Sequence, residues 1–151
     1  MRLAVALLND VNQAEDVVND SFLAFTKSMG EICLTGNLKS FLTTCVVNHA
    51  RSVYRARQRK KTVGLDEARQ AKSDSNGPQQ SAILNEEYQQ LKDAMAELPY
   101  QQQEIIILHL QNSMRFRQIA KLQNISINTA KSRYRYGLDK LRSLLDDEVT
   151  K

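Results

Sequence analysis

The sequence predicts an all-α protein of two small helical domains joined by a flexible linker, the second domain carrying a helix-turn-helix. Three observations support this. Only five Gly and two Pro occur in 151 residues, with no Trp, which disfavours a turn-rich β fold. Apolar side chains recur at helical spacing in two separate blocks. Between the blocks, Ser73-Asp-Ser-Asn-Gly-Pro-Gln-Gln-Ser81 has no apolar periodicity and reads as a linker. At 42% hydrophobic and 25% charged residues, each block can still build a core. The expected boundaries are 1–61 for the first domain, 62–82 for the linker and 83–151 for the second. A 21-residue linker spans up to roughly 70 Å extended, or about 25 Å as a relaxed coil.

In the first block, Arg2–Leu8 reads as a helical segment ending at Asn9-Asp10. A second helix begins near Asn12, with Ala14, Val17, Val18, Phe22, Leu23 and Phe25 as its apolar stripe. Glu15, Asp16 and Asp20 sit in its early turns, where negative charge suits the helix dipole. The segment 29–37 is expected to be a loop. A third helix runs from about Leu38 past Arg57, with Phe41, Leu42, Cys45, Val46 and Val53 inward. Its distal half, residues 51–61, places six cations in eleven residues. Tyr54 lies among them, with Asn48 and His49 just upstream, a mixture suited to nucleic acid.

In the second block, a helix from about Ser81 to Glu97 stops before Leu98-Pro99. Pro99 then opens the helix Tyr100–Gln111. The β-branched run at 105–107 alone would suggest a strand, but its setting between Pro99 and Gln111, with Gln/Glu-rich flanks, predicts helix. The helix-turn-helix follows. Ile119 and Ala120 allow a close helix crossing, and Asn124 suits a turn that needs left-handed φ. Ile125 plugs the turn, Ser126 offers a hydroxyl cap, and Ala130 is the second close-contact position. Beyond Ser126 the spacing turns Ala130, Tyr134, Leu138, Leu141 and Leu145 inward. Asn128, Lys131, Ser132 and Arg135 share another face, whose donors fit phosphates and base edges in a major groove.

The net charge is only +4, but it is unevenly placed. Residues 1–61 hold nine Lys/Arg against five acids, residues 113–142 eight against one, and residues 83–112 one Lys against five acids. Two basic patches on a nearly balanced chain suggest a polyanion touched at two places. Cys33 and Cys45 form no CxxC pair, so reduced, buried thiols are expected rather than a zinc ribbon or a disulfide scaffold. The isolated His49 and His109 are expected to be structural. No metal, no cofactor and no small-molecule substrate is expected. The apolar run 3–8 is too short for a membrane span and lacks a cleavage signal, so a cytoplasmic protein without membrane insertion is expected.

Taken together, the blocks resemble the bacterial sigma-70 family of transcription initiation factors, in its two-domain, extracytoplasmic-function-like form. Ala14-Glu-Asp-Val-Val-Asn-Asp-Ser-Phe22 matches the "AEDVVQ-x-x-F" helix of the family's region 2, and Phe41-Leu-Thr-Thr-Cys-Val-Val-Asn-His-Ala-Arg51 its "WL-x-x-I-A-x-N-x-x-R" helix. Leu98-Pro99, Ile119-Ala120 and Thr129-Ala-Lys-Ser-Arg133 follow the "LP…IA…TVKSR" pattern of region 4. The resemblance covers nearly the whole chain in order, although the chain begins partway through the family's first helix. Phe41 stands where Trp is usual, Asn19 where Gln is, Ser52 where Asp is, and Tyr136 where Arg is common. Asn124 replaces the turn Gly, and Gln123 occupies a normally apolar position.

The resemblance implies a non-enzymatic protein that binds core RNA polymerase and promoter DNA, with an anti-sigma factor as a further partner. It places polymerase binding on Asp16, Asn19, Asp20 and Phe22. It places recognition of the -10 element on Asn48, Arg51, Tyr54, Arg55, Arg57 and Arg59, with Asn48 at a base-capturing position. It places the -35 element against Asn128, Thr129, Lys131, Ser132, Arg133 and Arg135. Arg133 is open to a second role, holding phosphate or bracing the fold. Two other functions fit the residues less well. A helix-turn-helix regulator with an N-terminal sensing or dimerisation domain has no need of the basic helix at 51–61. A recombinase fragment would need a nucleophile constellation, and none is recognisable.

Overall fold

The computed structural model describes residues 1–28, 38–63 and 82–149, and every element among them is an α-helix. The chain divides into two compact units, Met1–Asp74 and Ser75–Lys151. The sequence's loop at 29–37, which includes Cys33, and most of its linker lie outside the described residues.

The first unit packs three helices against one another: α1 (Arg2–Leu8), α2 (Val11–Ser28) and α3 (Leu38–Thr62). Ala4, Ala14 and Ala50 are fully buried, which lets the three helices approach closely, and Leu7, Leu8, Val17 and Val47 fill the space around them. The α1–α2 joint is local chemistry. Asn9 adopts φ 52° and donates its N–H to the Val5 carbonyl at 2.8 Å, closing α1. The Asp10 carboxylate accepts the Gln13 N–H at 3.0 Å, capping α2.

The buried stripe of α2 differs from the sequence expectation. Phe22 and Leu23 are 52% and 56% exposed, whereas Ser21 is buried and its hydroxyl donates to the Val17 carbonyl at 2.7 Å. At about 100° per residue, Ser21 lies about 20° from Ala14 around the helix, Phe22 about 80° and Leu23 about 180°. Helical phase outweighs residue type here. The same holds on α3: Thr43, Val47 and Ala50 form the buried line, while Phe41, Leu42, Cys45, Val46 and Val53 flank it, half-buried. The Phe41 ring packs against Phe25 with centroids 5.8 Å apart.

The second unit contains α4 (Ala82–Ala96), α5 (Tyr100–Leu110), α6 (Phe116–Gln123) and α7 (Ile127–Val149). The long α7 packs on the other three. Pro99 sits at the N-cap of α5, and its carbonyl accepts the N–H groups of Gln102 and Gln103 at 2.8 and 3.1 Å. The β-branched run is helical as expected, and five consecutive residues, Glu104–Leu108, are buried. A helix covered on every side is a core element, so burial overrides the β propensity of Ile105–Ile107. At the α5–α6 corner the His109 Nδ1–H donates to the Met114 carbonyl at 2.8 Å. Its ring stacks on Phe116 at 4.3 Å and meets the edge of Tyr134 at 5.0 Å. The expected structural role for His109 is what the fold gives it.

Candidate nucleic-acid interface

The helix-turn-helix is built by short-range bonds. Asn124 closes α6 at φ 54°, ψ 48°, the left-handed conformation for which Asn is the best choice after Gly. The Ile125 N–H reaches the Ala120 carbonyl at 2.9 Å, which folds the turn back over α6. The Ser126 hydroxyl accepts the Thr129 N–H at 3.0 Å and lies 2.8 Å from the Thr129 hydroxyl, so Ser126 caps α7 as its sequence position suggests. Ile119, Ala120 and Ala130 are buried at the crossing. With that face turned inward, Asn128, Lys131 and Arg135 are exposed along one side of α7, and Ser132 and Thr129 are half-buried at its margin. The Arg135 guanidinium lies over the Tyr136 ring at 5.2 Å, which holds the fork near the helix surface.

A second basic face lies on the distal half of α3. Asn48, Ser52, Arg55 and Arg59 are all exposed and fall at i, i+4, i+7 and i+11, so they form one stripe. Lys60 and Lys61 extend it, and Arg51 and Tyr54 are half-buried beside it. Every exposed charge here is a cation, so the stripe is suited to a phosphate backbone.

Residues 88–141 match the family described as Sigma-70, region 4. Over 142 residues the chain is 29% identical to the ECF RNA polymerase sigma factor EcfG of Rhodopseudomonas palustris (strain TIE-1), a match spanning 94% of this chain and 76% of that protein. The sigma factor RpoE of Bartonella quintana, solved in complex with the anti-sigma factor NepR, superimposes with a TM-score of 0.73 and 26% identity. That match covers 96% of this chain and 88% of the solved one. Both of these proteins are sigma factors, and the matched family segment is sigma-70 region 4. The resemblance read from the sequence motifs is borne out over nearly the whole chain.

Within this chain, two arginines expected to touch DNA are turned into the fold. Arg57 lies about 180° from Asn48 around α3. Its Nη1 donates to the Leu8 carbonyl at 3.1 Å, its Nη2 bonds Gln13 Oε1, and Asp10 Oδ2 is 3.7 Å away. Arg57 therefore ties α3 to the α1–α2 joint, and the exposed stripe runs without it. Arg133 is half-buried, and its Nη1 donates to Gln123 Oε1 at 3.2 Å. Of the two roles open to it in sequence, this geometry is that of a brace.

The acidic face on α2 is exposed throughout: Asp16, Asn19 and Asp20 surround the outward Phe22 and Leu23. Leu23 was expected inside, so it joins this face as a residue that sequence reasoning missed, and the helical wheel was the signal that could have found it. Gln123 was missed as well. Its amide Nε2 donates to Glu104 Oε1 at 3.0 Å, and the only hint in the sequence was a polar residue at an apolar position.

Among the described residues no group of three His, Cys, Asp or Glu is placed to hold a metal ion, and no helix is long and apolar enough to cross a membrane. Cys45 is a free, half-buried thiol, and burial raises its pKa above the usual thiol value.

Proposed function

We propose that this protein is a sigma factor that binds core RNA polymerase and directs promoter recognition for transcription initiation, region 2 serving the -10 element and region 4 the -35 element. The observation that carries this reading is the exposed Asn128, Lys131 and Arg135 face of α7, presented by a capped helix-turn-helix inside the segment that matches sigma-70 region 4. A rigid helix with amide, hydroxyl and cationic donors on one side is what major-groove reading requires. The stripe Asn48, Arg55 and Arg59, with Arg51 and Tyr54 beside it, is the candidate surface for the -10 element. There an exposed Asn amide can both donate to and accept from a flipped base.

Asp16, Asn19, Asp20 and Phe22 form the candidate polymerase face, a charged surface around an exposed apolar pair. Charge on such a surface speeds encounter and sets orientation, and apolar burial supplies holding energy. The protein acts in the cytoplasm as a non-enzymatic specificity subunit, and an anti-sigma factor is a partner by likeness to the solved relative bound to one. The alternative of a helix-turn-helix regulator with a sensing first domain is not favoured, because the sigma-factor relatives span both units.

The test is co-purification of the chain with core RNA polymerase, followed by run-off transcription on genomic DNA. Discrete transcripts that depend on both components are expected. Absence of a complex with core polymerase at micromolar concentrations would refute the reading.

A further inference from the structure

Gln123 is the last residue of α6, at the pivot of the helix-turn-helix, and its amide joins three helices. The Nε2 group donates to Glu104 Oε1 of α5 at 3.0 Å, and Oε1 accepts from Arg133 Nη1 of α7 at 3.2 Å. Glu104 is 1% exposed in the middle of the core. The amide can point only one way, because guanidinium only donates and carboxylate only accepts. A side chain that satisfies both neighbours in a single orientation is a rigid link between the core helix and the helix that carries the DNA-facing stripe.

We infer that Gln123 is a positioning residue for DNA reading: its amide relays the fixed position of buried Glu104 to Arg133 and so sets the roll of α7 about its axis. The inference rests on the reading that α7 reads duplex DNA. Roll matters because Lys131 and Arg135 act at the end of a lever. On a helix about 10 Å across, a roll of about 10° moves a side-chain tip by about 1 Å, whereas functional groups must be held within about 0.5 Å of their working geometry. Arg133 itself is kept turned back toward the pivot, so it adds no sequence-independent phosphate contact that would dilute discrimination.

The experiment uses holoenzyme formed from the full chain and core polymerase. The probes are duplexes carrying the upstream element of a promoter found by run-off transcription, together with its single-base variants. Discrimination is the ratio of Kd values between variant and preferred duplex, read well below the melting transition. Gln123→Leu, which removes donor and acceptor at similar size, is expected to cut discrimination by about tenfold, the share of one well-placed base contact. Gln123→Glu keeps an acceptor for Arg133 but sets a carboxylate against Glu104, and it is expected to lose discrimination as well. Ala94→Gly, a buried change on α4 outside the helix-turn-helix, serves as the stability control and is expected to keep wild-type discrimination. If Gln123→Leu lowers the melting temperature but keeps the full ratio, the amide is only a brace and the inference is overturned. Equal loss in the Ala94→Gly control would overturn it too. Wild-type holoenzyme that shows no discrimination at all would instead overturn the reading of α7 on which the inference stands.

Discussion

Gly137→Ala tests how closely α7 lies on α5, because two opposing terms decide its sign. Gly137 lies in the interior of α7, two residues beyond Arg135, and is buried. In an open helix, Gly→Ala stabilises by about 1 kcal/mol, since Ala loses less backbone entropy. A Cβ at position 137 would stand 2.9 Å from Ile106 Cδ1 and 3.2 Å from Gln102 Cβ. Ordinary carbon contacts lie at about 3.5–4.0 Å, so both neighbours must give way. Ile106 is buried, which leaves its Cδ1 little room to give way, and Gln102 Cβ is fixed to the backbone of α5. Overpacking of this kind costs about 1–3 kcal/mol, which outweighs the helical gain. The expected net loss is about 1 kcal/mol, or a fall of about 4–8 °C in the melting of a unit this size. Thermal unfolding of the full chain, followed by helical circular dichroism, reads the change. Ile106→Val combined with Gly137→Ala should recover part of it, because the nearest colliding methyl is gone. A single Gly137→Ala variant that melts several degrees higher than wild type would refute the close approach of α5 and α7.

The left-handed turn gives a second test: Asn124→Ala should lose about 1 kcal/mol in urea unfolding, whereas Asn124→Gly should be neutral or slightly stabilising. On the proposed polymerase face, Asp16→Lys with Phe22→Ala should weaken association with core polymerase in a pull-down while leaving the melting temperature within about 2 °C, since both side chains are exposed. Unchanged association would remove this face from the interface. At the proposed DNA face, Lys131→Ala and Arg135→Ala should each cost holoenzyme about 1–3 kcal/mol of duplex affinity if they meet bases. Should either meet phosphate instead, the log–log salt slope falls by about 0.9. Loss of melting temperature with an intact footprint would invert the assignment of the two faces of α7.

The sequence alone determined the all-α class, the helix ends it predicted to within a residue or two, and the helix-turn-helix with its capping chemistry. These features rest on interactions that reach no more than a few residues. Asn124 needs only its own φ, Ser126 caps Thr129 three residues on, and Pro99 starts the helix that follows it. Family motifs are legible for the same reason, being short runs of fixed spacing. Tertiary structure decided which of those residues are free to act. Arg57 reads as one more cation in a basic run, yet its partners Leu8 and Gln13 lie 49 and 44 residues away. The tie between Gln123 and Glu104 spans 19 residues and exists only because α6 crosses α5 at that point. Phe22 and Leu23 look like core by residue type, but the phase of α2 against α1 and α3 turns them outward and buries Ser21 instead. Gly137 gave no sequence signal at all, because the space a methyl would need there is set by a different helix. Propensity and capping act along the chain, whereas exposure and pairing are properties of packed surfaces, and the surfaces meet only after folding.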